Sequence, residues 1–410
     1  MKSAGRWVAA AAGVVFVLGV TCAGAQDWPQ WRGPSRDGKA GEFNAPAQWP
    51  QELTKKWQVN VGLGDGTPAL AGNRLYVFAR EGGDEVTWCL DADTGKELWK
   101  DKVAAKGIGG PAARAHSGPR SSPAVADGKV VTLGIHGVLS CLDATSGKVL
   151  WRKDPFPGKT PRFYTASSPL IVDGVVVAEL GGPGDGAVIA YNLADGAEKW
   201  RLDGEAPDYS SPVLMTVDGT KQIVALTDKS VVGVGLADGK LLWKVAFVPQ
   251  RMAYNAATPI VDGQTVIVTG RDRGTKALKV EKQGAGFGAT ELWSNDLAVQ
   301  FNTPVLKDGF LYGLTDRGSL FCINARTGQT AWTDETQHGR GGFGAVVDAG
   351  TCLVALPATG ELIVFKPAGD AFAQLAKIKV SDSATYATPV LSGNRVFVKD
   401  EGSVTLYTVP

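Results

Sequence analysis

Short runs of alternating apolar and polar residues, bounded by Gly, Asp or Asn, fill the chain from residue 55 to its end. A period of two predicts half-buried strands, and no stretch holds the helical period long enough for a βαβ unit. Two phrases recur in register. "LDADTGKELW" (90–99) returns as "LDATSGKVLW" (142–151), "NLADGAEKW" (192–200), "GLADGKLLW" (235–243), "GATELW" (288–293) and "INARTGQTAW" (323–332). Each copy ends on Trp (Trp99, Trp151, Trp200, Trp243, Trp293, Trp332), with Gly95, Gly147, Gly196, Gly239 or Gly328 four residues earlier. Only the fifth departs, with Ala289. Strand residues that run into Asp or Asn, then into a Gly able to take positive φ, then into a new strand describe a β-hairpin.

The second phrase precedes the first. "TPALAGNRLYV" (67–77) recurs as Ser/Thr-Pro openings at 122, 168, 211, 258, 303 and 388, with a degenerate member lacking Pro at Gly344. Pro at the first position of a strand costs no ladder bond, and the Asp-Gly or Gly-Asn that follows reverses the chain. Each unit therefore supplies about four short strands in roughly forty residues, the signature of a β-propeller blade. There are eight openings but fewer Trp endings. "FAQLAKIKV" (372–380) fits a seventh outer strand, and "KKWQVNVG" (55–62), with Trp57, supplies the eighth from upstream. The expected fold is all-β: an eight-bladed β-propeller of four-stranded blades, closed by the N-terminal strand beside "GSVTLYTV" (402–409). Seven blades is the fallback. Closure of this kind removes an unpaired sheet edge.

The Trp endings and Ser/Thr-Pro openings together resemble the PQQ-like β-propeller repeat over residues 55–410. That resemblance implies a docking role for each Trp between adjacent blades, against the glycine turns. It also implies one of two branches: quinoprotein dehydrogenases, which hold pyrroloquinoline quinone (PQQ) and calcium on the axis, or a cofactor-free, BamB-like exported branch that binds partner proteins. Chain size is closer to the second. The dehydrogenase pattern includes an adjacent Cys pair, which is absent.

The remainder of the chain adds a compartment and excludes some partners. Lys2 and Arg6, the apolar "WVAAAAGVVFVLGV" and Ala23-Gly24-Ala25 form the three-part pattern of a secretory signal over residues 1–25, with cleavage before Gln26 and an uncleaved anchor as the alternative. Cys22 follows "GVT", which departs from a lipoprotein signal. Residues 26–54 read as a leader to the propeller, and no later apolar run approaches a membrane span. A formal net charge of +1 gives no electrostatic case for nucleic acid. Cys89, Cys141 and Cys322 each lie ten residues before a Trp, where Ala190 and Gly233 stand in other copies. They, with Cys352, read as small buried strand residues in preference to disulfide partners.

Candidate chemistry sits in the loops that enter the innermost strands, because these converge on a propeller axis. They carry His116, Arg120, Tyr164, Tyr209, Tyr254, Asn255, Phe301, Asn302, Arg340, Phe343 and Tyr386. Aromatic groups with a few donors at one rim suit a small ligand or a peptide; the alternative is a packed plug of the tunnel. Only Asp65 and Asp208 lie nearby, too few carboxylates for calcium, and no catalytic or metal-binding constellation stands out. Arg120 could pair with a quinone carboxylate or satisfy loop carbonyls. The expected function is an exported, non-catalytic scaffold binding an envelope or outer-membrane protein, or a small ligand at the axis. A PQQ- and calcium-dependent oxidoreductase is the alternative. The longer insertion at 100–120 is either a partner contact or a solvated loop.

Overall fold

The computed structural model describes residues 1, 27–105, 107–110, 116–250, 253–339 and 341–410. Residues 2–26, which carry the expected signal peptide, lie outside this range, as does Arg340. Among the described residues there are eight four-stranded antiparallel sheets and no helix. Seven blades are continuous in sequence, at 69–104, 124–153, 170–203, 213–246, 260–295, 305–337 and 344–379. In the eighth, strands Val390–Ser392, Arg395–Lys399 and Ser403–Thr408 are completed by Thr54–Asn60, which pairs antiparallel with Ser403–Thr408. The ring is thus an eight-bladed propeller whose two ends share one sheet.

The two faces of each strand are buried against different neighbours, which is why the blades are apolar on both sides. In the second strand of blade 3, Val176, Ala178 and Leu180 pack toward blade 2, while Val175 and Val177 pack toward blade 4. At six outer strands the Trp stands directly opposite a small residue of its own blade, whereas Trp57 of the eighth faces Leu406. The pairs are Cys89–Trp99, Cys141–Trp151, Ala190–Trp200, Gly233–Trp243, Ala277–Trp293 and Cys322–Trp332. The indole lies where a larger partner would collide, so these cysteines are small fillers; all four beyond residue 26 are buried and unbridged.

The indole then reaches the next blade. Trp57, Trp99, Trp151, Trp200, Trp293 and Trp332 donate Nε1–H to the carbonyls of Ala92, Ala144, Leu193, Leu236, Ala325 and Ala368 at 2.8–3.2 Å. The glycine turns meet the rings face-on. A Cβ on Gly95, Gly147, Gly196, Gly239 or Gly328 would lie 2.5–2.8 Å from the Trp of the preceding blade, and each of these glycines has φ between 70° and 74°. Any side chain there would be both strained and in collision. Trp243 departs from the expected pattern. Its indole donates to Gln222 Oε1 of its own blade at 2.7 Å. The next blade sets no glycine against this indole, because its two outer strands run on as a long hairpin, Gly274–Gln283 and Gly286–Asn295, whose turn at Gly284 packs on nothing. Phe287 and Ala289 of that hairpin pack beside Trp243 instead.

Two further devices close the centre. The Ser or Thr of each opening phrase belongs to a belt around the axis. Thr388 N–H donates to Thr67 Oγ1, Thr67 N–H to Ser122, Ser122 N–H to Ser168, Ser168 N–H to Ser211, and Thr258 N–H to Thr303, all at 2.9–3.0 Å. The second device is the leader. Trp28 bridges Leu70 in blade 1, and Pro29 accepts Val125 N–H from blade 2. Trp31 Nε1–H donates to Thr258 Oγ1 of blade 5 at 2.9 Å. Arg32 donates to the carbonyls of Thr303 and Pro304 in blade 6, and Arg36 to those of Ser168 and Pro169 in blade 3. Both arginines are 3% exposed, and burial pulls their guanidinium groups below the ordinary value. The leader then bridges Asp348 in blade 7 and Gly393 in blade 8 before entering the outer strand at Thr54.

Candidate binding site

All eight entry loops present a side chain to the axis on one face. Asp65, His116, Arg120, Phe163, Ala166, Tyr209, Tyr254, Phe301 and Phe343 line a cavity of about 360 Å³. Beneath it a chamber of about 130 Å³ is lined by Asn302, Tyr386 and Trp31, among others. The leader's Trp31 is therefore the floor. The tunnel is closed by the leader, and the entry-loop aromatics form a blind cup above it.

The rings are ordered by contact with one another. Phe301 stacks on Phe343 with centroids 4.2 Å apart and planes 8° from parallel, and Phe343 stacks on His116 at 5.4 Å. Tyr386 meets His116 edge-on at 4.6 Å. Across the cup, Tyr254 makes edge contacts with Phe163 at 5.2 Å and Tyr209 at 5.5 Å. Phe301 remains 37% exposed, so the stacked column ends at an open aromatic surface.

Few polar groups reach this surface. His116 Nδ1 lies 2.8 Å from Asp65 Oδ2. Because an ionised carboxylate only accepts, Nδ1 carries the proton in the neutral imidazole and Nε2 is left with a free lone pair. Arg120 donates to the backbone carbonyls of Phe163 and His116. Its Nε is buried with no partner among the described residues, and desolvation lowers its pKa. Tyr209 Oη accepts Phe163 N–H at 2.8 Å. Burial raises the pKa values of Tyr209, Tyr254 and Tyr386, so all three phenols stay protonated.

Of the residues expected from sequence, His116, Arg120, Tyr209, Tyr254, Phe301 and Phe343 line the upper cavity, with Asn302 and Tyr386 in the chamber below. Two do not face it. Tyr164 accepts Gly109 N–H at 2.7 Å and meets His136 edge-on; its φ of 69° swings it away from Phe163, which takes the place in the cup. Asn255 is fully buried, its amide donating to the carbonyls of Thr227 and Phe247. Sequence reasoning missed Phe163, Trp31 and the Asp65–His116 pair. The first was adjacent to the residue chosen; the other two depend on loops far apart in sequence.

The donor set does not fit calcium and a quinone. Asp65 is engaged by His116, and Asp208 Oδ2 accepts Asn255 N–H at 2.5 Å. Neither has a second carboxylate beside it in the cup, whereas calcium needs several oxygen ligands. Arg120 donates from each terminal nitrogen to a backbone carbonyl, a role in fixing the loops.

Comparison with known families decides the ancestry. The profile described as outer membrane protein assembly factor BamB matches residues 46–119 and 112–334. The chain belongs to this family. The BamB of Yersinia pestis is 28% identical over 291 residues, covering 69% of this chain and 61% of that protein; the match therefore spans less than two thirds of the relative. Among solved structures, BamB from Moraxella catarrhalis superposes with a TM-score of 0.66 at 15% identity, over 87% of this chain and 100% of that one. A europium-containing methanol dehydrogenase gives 0.70 at 13% identity, over 94% and 98%. At such identities these two likenesses speak for the fold alone. What sets this BamB-like propeller apart from a bare ring is its lined and floored axial cup.

Proposed function

We propose that this chain is an exported, non-catalytic propeller of the cell envelope whose entry-loop face binds a partner at the axial cup, in keeping with the assembly role in the BamB family name. The observation that carries this reading is the aromatic cup, lined by the entry loops of seven blades, with Tyr386 of the eighth packed on His116, and left with an exposed ring at its mouth. Contiguous exposed aromatic surface marks binding sites. No helix among the described residues is long and apolar enough to cross a membrane. The quinoprotein alternative is the weaker reading, since the cup lacks the carboxylates it requires.

A photo-reactive phenylalanine at position 301 tests the reading, with the same group in the Asp308 turn as the control. Cross-linking in intact envelopes should give a defined protein adduct from position 301 and none from 308. Stoichiometric PQQ binding with dye-linked oxidation by the purified chain would overturn it.

A further inference from the structure

We infer that the chain pairs with a second copy of itself along the outer edge of blade 5, strand Gly286–Asn295 meeting the same strand about a twofold axis. The inference is independent of the axial cup. Gly286–Asn295 is the last strand of its sheet, so one side of its backbone has no neighbouring strand. The hairpin that carries it has a two-residue turn, Gly284-Ala285, between the paired residues Gln283 and Gly286. Residues flanking such a turn bond to each other, and the alternation of an antiparallel ladder fixes the rest. Gly286, Gly288 and Thr290 therefore bond inward, to Gln283, Glu281 and Lys279. The N–H and C=O groups of Phe287 and Ala289 point outward, and they have no backbone partner among the described residues.

Donors and acceptors repeating at every second residue of a strand are matched by another extended segment. Charge selects a second copy as that segment. Edge strands are ordinarily guarded by charged side chains, which set like against like when two copies meet. The other seven outer strands among the described residues all carry such charges, as with Lys100 and Lys102, Arg152 and Lys153, or Lys377 and Lys379. From Gln283 to Thr290 there is no charged residue and no Pro. An antiparallel match of this stretch with itself sets neutral against neutral throughout, and a twofold contact of this kind closes at two copies. The hairpin also reaches out of the ring. Its turn residues Gly284 and Ala285 stand nine and eight positions before Trp293, against four for the turn glycine before Trp99 or Trp151. Residues 283–286 and Thr290 are exposed, and 287–289 partly so. Strand alternation puts this turn at the face opposite the entry loops, so both cups stay open in the pair.

The test is sedimentation velocity of the whole mature chain over a concentration series, with amide hydrogen exchange measured at both ends of it. The chain should pass from monomer to dimer and no further, and exchange in residues 286–290 should slow as the dimer forms. Ala289→Pro removes one outward N–H per copy and no bond of its own ladder. It should weaken dimerisation about tenfold, the effect of two hydrogen bonds per pair, and leave the melting temperature in place. Thr290→Lys, which adds a guarding charge, should weaken it as well and covers the case in which Pro disturbs the blade. A chain that stays monomeric throughout, or a dimer indifferent to both substitutions, would sink the inference. A photo-reactive residue at position 290 in intact envelopes decides the occupant: an adduct of two copies supports self-pairing, and an adduct only with a different protein overturns it.

Discussion

Four of the blade-end indoles, Trp99, Trp151, Trp200 and Trp293, do three jobs: each fills the gap over a small residue of its own sheet, stacks on a glycine turn of the next, and ties that turn with a hydrogen bond. Trp151→Ala removes all three at the junction with blade 3, where the ring is 8% exposed and bonded to Leu193. The expected loss is about 3–5 kcal/mol, the range for truncating a buried aromatic, read as a lower denaturation midpoint. An unchanged midpoint would mean that the indole wedges nothing. These contacts were legible in the sequence because Trp and Gly recur at fixed spacing. Ionisable residues were not, because they break the repeat. Register places Lys399 of blade 8 and Glu179 of blade 3 at the strand position held by Phe78 in blade 1 and Leu133 in blade 2. Lys399 Nζ is satisfied by the carbonyls of Gly62, Asp400 and Glu401, and burial pulls it down to about 8. Asp208 moves the other way. Burial pushes it up to about 7, against the Asn255 N–H bond that favours its charge. A carboxyl raised on folding holds its proton in the native chain while the unfolded chain has lost it, so stability falls as pH rises from about 4 to 7. Asp208→Asn should reduce that slope, to which the buried Glu179 carboxyl, also raised by desolvation, adds its own share, and raise the melting temperature at pH 8; a slope identical to the parent's would discount Asp208 as a source.

At the scale of the strand, the Ser/Thr-Pro opening was read from sequence as a proline that costs no ladder bond. The hydroxyl before it proves equally purposeful, since it accepts the buried N–H of the matching residue in the preceding blade. The belt runs 388–67–122–168–211 and 258–303. It was invisible in one dimension because four of these bonds join residues 43 to 55 positions apart and the fifth, which closes the ring, spans 321. Ser168→Ala strands the buried Ser122 N–H, and an unsatisfied buried donor costs about 1–3 kcal/mol. Ser168→Thr should be near neutral, because Thr serves at 67 and 303. Urea denaturation of the pair distinguishes a hydrogen-bond loss from a packing loss: equal destabilisation by both substitutions would point to packing. The departure at blade 5 has a similar cause. Its worn "GATELW" phrase reflected a real change of structure, a pair of ten-residue strands with no Asp turn between them, and Trp243 was consequently turned onto Gln222.

For the whole molecule, closure is the decisive problem, and the ring solves it unevenly. Six of its eight junctions carry an indole bonded to the next blade. Between blades 7 and 8 there is none: Ala376 stands in the outer strand of blade 7, and blade 8 receives its outer strand from the N-terminus and so has no glycine turn there. An open cleft of about 930 Å³ lined by Lys55, Asn60, Lys379 and Tyr407 lies at this seam, crossed by the Tyr407 Oη–H bond to Val380 O at 2.6 Å. The leader compensates from the inner side. Its backbone exchanges hydrogen bonds with Asp348 of blade 7 through Gly38 and Ala40, and with Gly393 of blade 8 through Glu42 and Asn44. Phe43, Trp49 and Leu53 join the apolar cluster that blades 7, 8 and 1 share. The stretch "DWPQWRGPSRDG" gave no sign of this in sequence, since it has neither strand alternation nor repeat, and its arginines find carbonyls only once the ring exists. The seam should therefore open first, and it should depend on the leader. In hydrogen exchange, the Phe43→Ala/Trp49→Ala variant should lose protection in Gln374–Lys379 and Ser403–Thr408 well before Glu198–Asp203, between whose blade and the next the Trp200 wedge is intact. Uniform loss around the ring would show that the eight blades unfold as one unit and that the leader closes no particular junction.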